Sequence, residues 1–412
     1  MLSKASAAER GNAPLALLTV TTLYPNSIQK THGLFVETRL RKLLETGQVK
    51  ARVLAPVPWL PFDIEHPTLG RISRVPRQAL CNGIEVHHPR YLVVPKIGMT
   101  LTPHTLYRTL RRSFAAMIKS GEPVDLIDAH YFYPDGVAAV WLAQEFNLPV
   151  VVTARGTDVN LIPEYATPRR LILDAARKAD GIVAVCDALK QRLVDLGVAP
   201  AHITVLRNGV DLRRFHPMDR VSLRREFGLE RLTLGSVGHL VERKGHHHVI
   251  RALAQLPDAE LLIAGDGPER RNLEELVSAL ALKHRVRFLG ALDQSELCRI
   301  YNALDILVLA SSREGWANVL LEAMACGTPV VASNVWGTPE VVAAPEAGVL
   351  MPSLDPVGIV AGVTQLLAQP PQREATRRYA EGFDWDATTQ GQLSLFRRIL
   401  ARRVKPQLQA AS

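Results

Sequence analysis

The chain has 412 residues, 47% hydrophobic and 22% charged, with 49 Lys plus Arg against 40 Asp plus Glu and a formal net charge of +9. That length suits two or three domains with buried cores, and the composition excludes a disordered or low-complexity scaffold. Cys81, Cys186, Cys298 and Cys326 show no zinc or disulfide spacing, no apolar run approaches the roughly 18 residues of a membrane span, and the basic excess favours anionic partners.

The first predicted element is a buried strand, Leu15–Thr22. The segment Ala13–Tyr24 behind Lys4 and Arg10 has the outline of a signal sequence, but it lacks a small-residue cleavage site. A helix follows over Phe35–Leu44, with Phe35, Leu40, Leu43 and Leu44 towards one side, then a strand, Arg52–Ala55. The proline-bearing stretch Pro56–Pro76 reads as a long loop. Helix His104–Lys119 places Leu106, Leu110, Phe114, Met117 and Ile118 on one side and Arg108, Arg111, Arg112 and Lys119 mostly elsewhere. Strands are expected at Leu126–His130, Val150–Thr153, Gly181–Cys186 and Ile203–Leu206. Phe215-His216-Pro217 then breaks the pattern, which puts a domain join near Asp211–Asp219.

The second half repeats the alternation. Strands are predicted at Leu232–Val237, Glu260–Ala264, Val286–Leu289, Ile306–Ala310 and Val330–Ser333, with a helix over Glu269–Lys283 on Leu273, Leu276, Val277 and Leu280. The tail Phe383–Ala401 reads as a helix ending in basic residues. Val/Ile/Leu-rich runs without clean alternation are parallel strands covered on both faces. The fold class is therefore α/β, with two doubly wound units.

Three segments of the second half carry chemistry. Ser311 to Gly315 follows an apolar strand and leads into a helix that stops at Gly327, ahead of Pro329. Ligands of doubly wound sheets bind outside the carboxyl ends of the strands. Glu314 sits in such a crest loop, and Glu322 lies two helical turns beyond it. Loop N–H groups and the helix start suit an anion. Glu314 can accept from sugar hydroxyls, and Glu322 from a ribose diol. A lone Glu is more often solvated, but Glu322 stands among Val319, Leu320, Leu321, Ala323 and Met324.

The second segment is Gly238-His239-Leu240-Val241-Glu242-Arg243-Lys244-Gly245. Its glycines permit close backbone approach, Lys244 supplies a point charge for a pyrophosphate, and Arg243 a bidentate fork. A basic surface loop accounts for it equally well. The third, Gly265-Asp266-Gly267-Pro268, is a tight strand-to-helix turn that lacks the third glycine of a dinucleotide fingerprint.

Together these residues resemble the retaining glycosyltransferases of family 4, which have the GT-B fold. The resemblance runs in order from Gly238 to Val331, through Lys244-Gly245, Gly265-Asp266-Gly267-Pro268, Phe288-Leu289-Gly290, Glu314-Gly315, Glu322 and Ala325-Cys326-Gly327-Thr328-Pro329-Val330-Val331. Gly337-Thr338-Pro339-Glu340 fits the family's last loop. The first half adds Gly33, Asp128-Ala129-His130, Gly156-Thr157-Asp158 and Asn208-Gly209-Val210-Asp211.

The resemblance implies two Rossmann-like domains facing across a cleft. Residues 1–212 would form the acceptor side and 213–382 the nucleotide-sugar side, with a helix in 383–412 crossing back. It implies that Lys244 holds the donor phosphates, Glu314 the transferred sugar and Glu322 the ribose. Gly315, Trp316, Ala317, Asn318 and Val319 would offer backbone N–H groups near sugar and phosphate, and Gly290 and Ala291 would lie near the base. Gly238, His239, Arg243, Gly265 and Gly267 complete the donor set, and Gly33 lets a first-domain loop approach the diphosphate. His130 and Asp158 would stand near the reacting carbon, which makes His130, Asp158, Lys244 and Glu314 the implied catalytic group. Four positions depart from the family: His239 for a common Arg, Arg155 for a frequent His, Ala317 for Pro, and Trp336 for Gly. Trp316 is expected to pack, while Trp336 either packs or narrows the sugar pocket.

The implied reaction is transfer of a hexosyl unit from a nucleotide-diphosphate sugar to a hydroxyl of a glycan or lipid-linked acceptor, with retention, in polysaccharide biosynthesis. It calls for no metal and no cofactor beyond the donor substrate, and no D-x-D stands in a metal-loop context. No nucleophilic carboxylate announces itself, and the resemblance favours front-face attack over double displacement. Nucleic acid is not an expected partner, since no recognition module appears. The implied location is cytoplasmic. Peripheral contact of helix His104–Lys119 with an anionic membrane is the alternative to a core-facing helix with a solvated basic face. Two rivals remain: a GT-B nucleotide-sugar epimerase, which needs no acceptor, and a non-catalytic nucleotide-sugar or glycan-binding protein, whose binding survives Glu314→Ala.

Overall fold

The computed structural model describes residues 13–60, 72, 74–93 and 98–409. The chain divides into two compact units. One comprises the residues up to Val185, Leu189–Leu206 and those from Asp386 onward; the other comprises Cys186–Ala188 and Arg207–Trp385.

In the first unit the strands are β1 (Leu15–Val20), β2 (Val49–Leu54), β3 (Val57–Trp59), β4 (Gln78–Cys81), β5 (Ile84–His87), β6 (Arg90–Leu92), β7 (Leu126–His130), β8 (Val150–Ala154), β9 (Gly181–Ala184) and β10 (Ile203–Val205). Eight of them form one sheet in the order β10-β9-β8-β7-β1-β2-β5-β4, and β3 pairs with β6 separately. All neighbours in the large sheet are parallel except β4 and β5. Chain order reverses between β1 and β7, so the crest loops after these two strands flank the switch point. Helix Leu34–Glu45 packs Val36 and Leu40 with Val53 and Val86. The last helix, Asp386–Gln409, packs Leu393, Leu395, Phe396 and Ile399 with Leu17, Leu126, Val151 and Val183.

The second unit holds β11 (Leu232–Val237), β12 (Ala259–Ala264), β13 (Val286–Gly290), β14 (Ile306–Leu309), β15 (Val330–Ser333) and β16 (Gly348–Met351). Their order is β13-β12-β11-β14-β15-β16, all parallel. Numbered from β11, this is the dinucleotide-fold order 3-2-1-4-5-6, and its switch point lies between β11 and β14. Helices His246–Leu253, Arg270–Ala279 and Pro356–Ala368 cover it, with Val249, Ile250, Leu273, Val277, Ile359 and Val363 in one core with Leu234, Leu261, Ile263 and Val308.

The eleven predicted strands are all present, with ends displaced by up to three residues. Five others, β3 to β6 and β16, have no counterpart in the sequence reading. The β4–β5 hairpin turns on Asn82-Gly83, both at positive φ, and that dipeptide is a strong two-residue hairpin signal. Exposure alternates along both strands, as on a one-sided antiparallel edge. Within the expected loop Pro56–Pro76, residues 57–59 are strand; residues 61–71 and 73 lie outside the described residues. The helix expected over Glu269–Lys283 ends at Ala279, and Leu280, assigned to its apolar face, is 37% exposed. Helix His104–Lys119 begins earlier, at Gly98. Its Leu106, Leu110, Phe114 and Met117 are buried, while Arg108, Arg111, Arg112 and Lys119 are exposed.

Candidate functional site

In the second unit, the loop after β11 and the loop after β14 emerge side by side at the switch point. Backbone hydrogen bonds join the crest loops: Ser312 N–H to Arg243 O at 2.8 Å, Leu240 N–H to Asp266 O at 2.9 Å and Gly265 N–H to Gly290 O at 2.7 Å. Two glycines make this possible. Gly245 has φ +68°, and a Cβ there would lie 1.9 Å from Ala310 O. Gly265 has φ +143°, and a Cβ there would lie 1.9 Å from Gly238 O. Any side chain would drive the loops apart. Gly238 lies against the Lys244 side chain and Gly267 against the Leu240 backbone, while Gly290 has open space beside it. The glycines of the motif thus serve loop packing first.

The joined loops bring together two residues 70 positions apart. Lys244 Nζ lies 2.6 Å from Glu314 Oε1, with side-chain exposures of 14% and 9%. Helix Asn318–Ala325 starts just beyond Glu314. Ala317 stands at its N-cap and gives no side-chain cap. On that helix Glu322 is partly buried and accepts a 2.9 Å hydrogen bond from Tyr301 Oη. Burial pushes the Glu322 carboxyl up to about 7, against the lowering effects of Tyr301 and Arg214. Neither Tyr301 nor Arg214 belongs to a motif; the tertiary packing of helix Gln294–Ala303 alone delivers Tyr301.

His239 Nδ1 lies 2.5 Å from Asp266 O. The carbonyl accepts, so a neutral ring presents a lone pair at Nε2, and only the protonated ring offers a donor there. A guanidinium at this position would donate at any pH. Arg243 is partly exposed, and its carbonyl is what binds Ser312. Trp316 is buried beside Phe383, with ring centroids 6.2 Å apart, and under Arg207 at 5.9 Å. It packs. Trp336 is partly buried with φ +48°, and a Cβ on the next residue, Gly337, would lie 2.3 Å from Gly315 O. Gly315, Asn318 and Val319 are partly buried, Ala317 is buried and Ala291 is exposed.

The crest of the first unit is built differently. Gly33, at φ +69°, precedes helix Leu34–Glu45, and a Cβ there would lie 2.3 Å from the Leu23 carbonyl. Its demand for glycine is thus met within the unit. Asp135 accepts from Thr22 N–H at 2.6 Å and from Thr22 Oγ1, fixing the exit of β1; burial raises this carboxyl to about 7.

His130 ends β7 and is 1% exposed. Its Nδ1 lies 2.7 Å from Arg155 Nη2 and its Nε2 3.2 Å from Asp128 Oδ2. Burial, with Arg155 nearby, pushes it down to about 4 despite Asp128. Asp158 is also buried, and its carboxylate accepts from the backbone N–H groups of Phe132 (2.7 Å), Gly156 (2.7 Å) and Arg155 (3.1 Å). Burial raises its carboxyl above the usual range, against those bonds. Both His130 ring nitrogens and both Asp158 carboxylate oxygens are thus already bonded within the unit. Sequence reading missed Arg39 and Gln392, which are buried beside them.

The sequence profile described as "Glycosyl transferases group 1" matches residues 222–383, and "Glycosyltransferase Family 4" matches residues 49–214. The chain is 32% identical over 312 residues to the D-inositol 3-phosphate glycosyltransferase of Mycolicibacterium gilvum, covering 70% of this chain and 69% of that one. It is 29% identical over 340 residues to TuaC of Bacillus subtilis, whose name places it in teichuronic acid biosynthesis, covering 78% and 82%. In fold it is similar to Anabaena HepE solved with UDP, with a TM-score of 0.69, 20% identity and coverage of 92% and 98%.

Proposed function

This chain belongs to the family 4, group 1 glycosyltransferases of the GT-B fold, and from that premise we propose that it moves a hexosyl unit, with retention, from a nucleoside-diphosphate sugar to a hydroxyl of a glycan or lipid-linked acceptor. The observation that carries the donor reading is the Lys244–Glu314 pair at the switch point of the second unit. The binding of UDP by HepE, a protein of like fold, supports it.

On donor binding the diphosphate takes the place of Glu314 at the Lys244 ammonium. The released Glu314 carboxylate accepts from a hydroxyl of the transferred sugar, and Glu322 accepts from the ribose. Lys244, Arg243 and the uncapped start of helix Asn318–Ala325 then stabilise the charge that grows on the leaving diphosphate. In a front-face reaction the bond from the anomeric carbon to the phosphate oxygen breaks, and the bond to the acceptor oxygen forms on the same side. The acceptor's proton passes to the departing phosphate oxygen. With cationic side chains supplying the countercharge, the scheme needs no metal ion. The first unit, with its last helix, is assigned the acceptor, and His130 and Asp158 shape that site rather than attack. Membership of a transferase family favours this reading over an epimerase or a non-catalytic binder.

Among the described residues no helix is long and apolar enough to cross a membrane. We assign the protein a cytoplasmic place, with Arg108, Arg112 and Lys119 as its means of contact with an anionic lipid surface. A role in polysaccharide assembly is supported by the likeness to TuaC. The test is a thermal-shift screen over UDP-, GDP- and ADP-sugars, followed by incubation of the labelled donor with lipid-linked acceptors. A raised Tm with one donor class and a labelled acceptor product are expected. Epimerised free sugar without transfer product would overturn the reading.

A further inference from the structure

A buried chain of hydrogen bonds runs from the last helix of the first unit to the end of β7. Arg39, on helix Leu34–Glu45, donates from Nη1 to Leu206 O at 3.2 Å and from Nε to Gln392 Oε1 at 2.8 Å. Gln392, on helix Asp386–Gln409, donates from Nε2 to Asp128 Oδ2 at 3.1 Å. The same oxygen faces His130 Nε2 at 3.2 Å, and His130 Nδ1 faces Arg155 Nη2 at 2.7 Å. Arg39, Gln392, Asp128 and His130 are each 1% exposed and Arg155 is 8% exposed.

Each proton in this chain is assigned by elimination. A guanidinium only donates, so His130 Nδ1 must accept from Arg155. The neutral ring therefore carries its proton on Nε2 and donates it to Asp128. Asp128 Oδ2 thus receives both His130 and Gln392, while Asp128 Oδ1 has no hydrogen-bond partner among the described residues. At the other end, Arg39 requires an acceptor. Position 392 must accept from Arg39 and donate to Asp128 at once, and an amide meets both demands in one side chain. A carboxylate lacks the donor, an ammonium lacks the acceptor, and an apolar residue lacks both. A glutamine on the core-facing side of a helix, between Gly391 against Leu206 and Leu393 in the core, has no packing reason to be polar.

We propose that Gln392 is a positioning residue for the acceptor side of the transferase: acting through Asp128, it holds the orientation of the His130 ring, whose tautomer Arg155 sets. This rests on the assignment of His130 to the acceptor site. The charged groups acting on the ring are Asp128 on its own strand, Arg155 beyond β8 and Arg39 on helix Leu34–Glu45, and Asp158 acts in turn on Arg155.

The test uses the full-length protein and three variants. Gln392→Met removes both bonds at similar volume, and Gln392→Glu keeps the acceptor while setting a carboxylate against Asp128. Phe396→Leu loosens the same helix without touching the chain. Histidine 15N NMR of the ligand-free protein, with the His130 signals assigned by loss in His130→Asn, reads tautomer and titration directly. Wild type should show the Nε2-protonated form. Gln392→Glu should raise the His130 titration midpoint by more than one pH unit, because a second negative charge favours the imidazolium. Both Gln392 variants should lower kcat about tenfold, with the donor KM within twofold of wild type. In Gln392→Glu, activity should recover as pH falls, since the protonated carboxyl regains an O–H to donate. Phe396→Leu should lower Tm and leave the His130 spectrum alone. An unchanged His130 spectrum in both Gln392 variants overturns the proposal. A shifted spectrum with unchanged kcat overturns its consequence for turnover. If wild type transfers no sugar, it is the transferase scheme that falls, and the spectra still decide the hydrogen-bond chain.

Discussion

The two units carry parallel sheets of the same kind, yet their crests hold charge in opposite ways. At the switch point of the second unit, Lys244 and Glu314 form an ion pair whose side chains keep 14% and 9% of their exposure. At the crest of the first unit, His130, Asp128, Asp158, Arg155 and Arg39 are sunk in the protein, and their bonds run among themselves, to Gln392 and to backbone amides. An ion pair that keeps some exposure costs less to open than a fully buried one, where a charge that loses its partner is strongly destabilising. On the proposed function, the crest of the second unit exchanges partners with the donor and the crest of the first unit holds its shape. Mutation should separate the two: at the Lys244–Glu314 pair turnover changes with little loss of stability, whereas substitutions in the buried cluster of the first unit cost stability along with turnover.

The sharpest break comes from Lys244→Ala. It should lower kcat on the order of 100- to 1,000-fold, as loss of one fixed donor to a developing charge does, while Tm moves by only a few degrees. Steady-state kinetics beside thermal melts measures both, and near wild-type turnover would refute the role of Lys244. Asp158→Ala should be marked instead by loss of stability. It leaves three buried N–H groups without their acceptor and should destabilise the fold by about 3 kcal/mol, read by urea unfolding.

Glu314→Gln sharpens the exchange idea. With its partner neutral, Lys244 should bind UDP several-fold more tightly in calorimetry, while sugar transfer falls. Weaker UDP binding would mean that Glu314 helps rather than competes. Glu322 supplies a pH signature. Its folded-state carboxyl titrates near 7, and a ribose diol donates best to the ionised form. Nucleotide affinity should therefore rise by up to about tenfold from pH 6 to pH 8 as the carboxylate forms, and Glu322→Gln should flatten that part of the profile. The smallest effect concerns the exposed arginines of helix Gly98–Lys119. Their apolar neighbours are committed to the core, so attachment to anionic vesicles should rest on charge and fade at high salt. Flotation that is indifferent to salt would exclude this contact.

The crest of the second unit was largely legible because its residues lie in two short motifs, each directly after a predicted strand. A strand-loop-helix unit projects its loop to the carboxyl edge whatever surrounds it, so Lys244, Glu314 and Glu322 could be placed from local pattern. The alternation of apolar runs likewise determined two doubly wound units. What local pattern could not supply is the pairing of residues distant in sequence. Tyr301 meets Glu322 through helix packing, and the carbonyl that orients His239 belongs to another crest loop. The edge hairpin at Asn82-Gly83 was signalled but overlooked, whereas β3, β6 and β16 are too short to show a period. His130 and Asp158 illustrate the other limit. Their places at strand ends were readable, but burial and hydrogen-bond partners depend on Arg39, Arg155 and Gln392, the last 264 residues from Asp128. The sequence by itself determined which loops reach the crest. The tertiary structure decided how deeply each polar group there is buried and with what it is bonded, because desolvation and partner geometry exist only once the helices have packed.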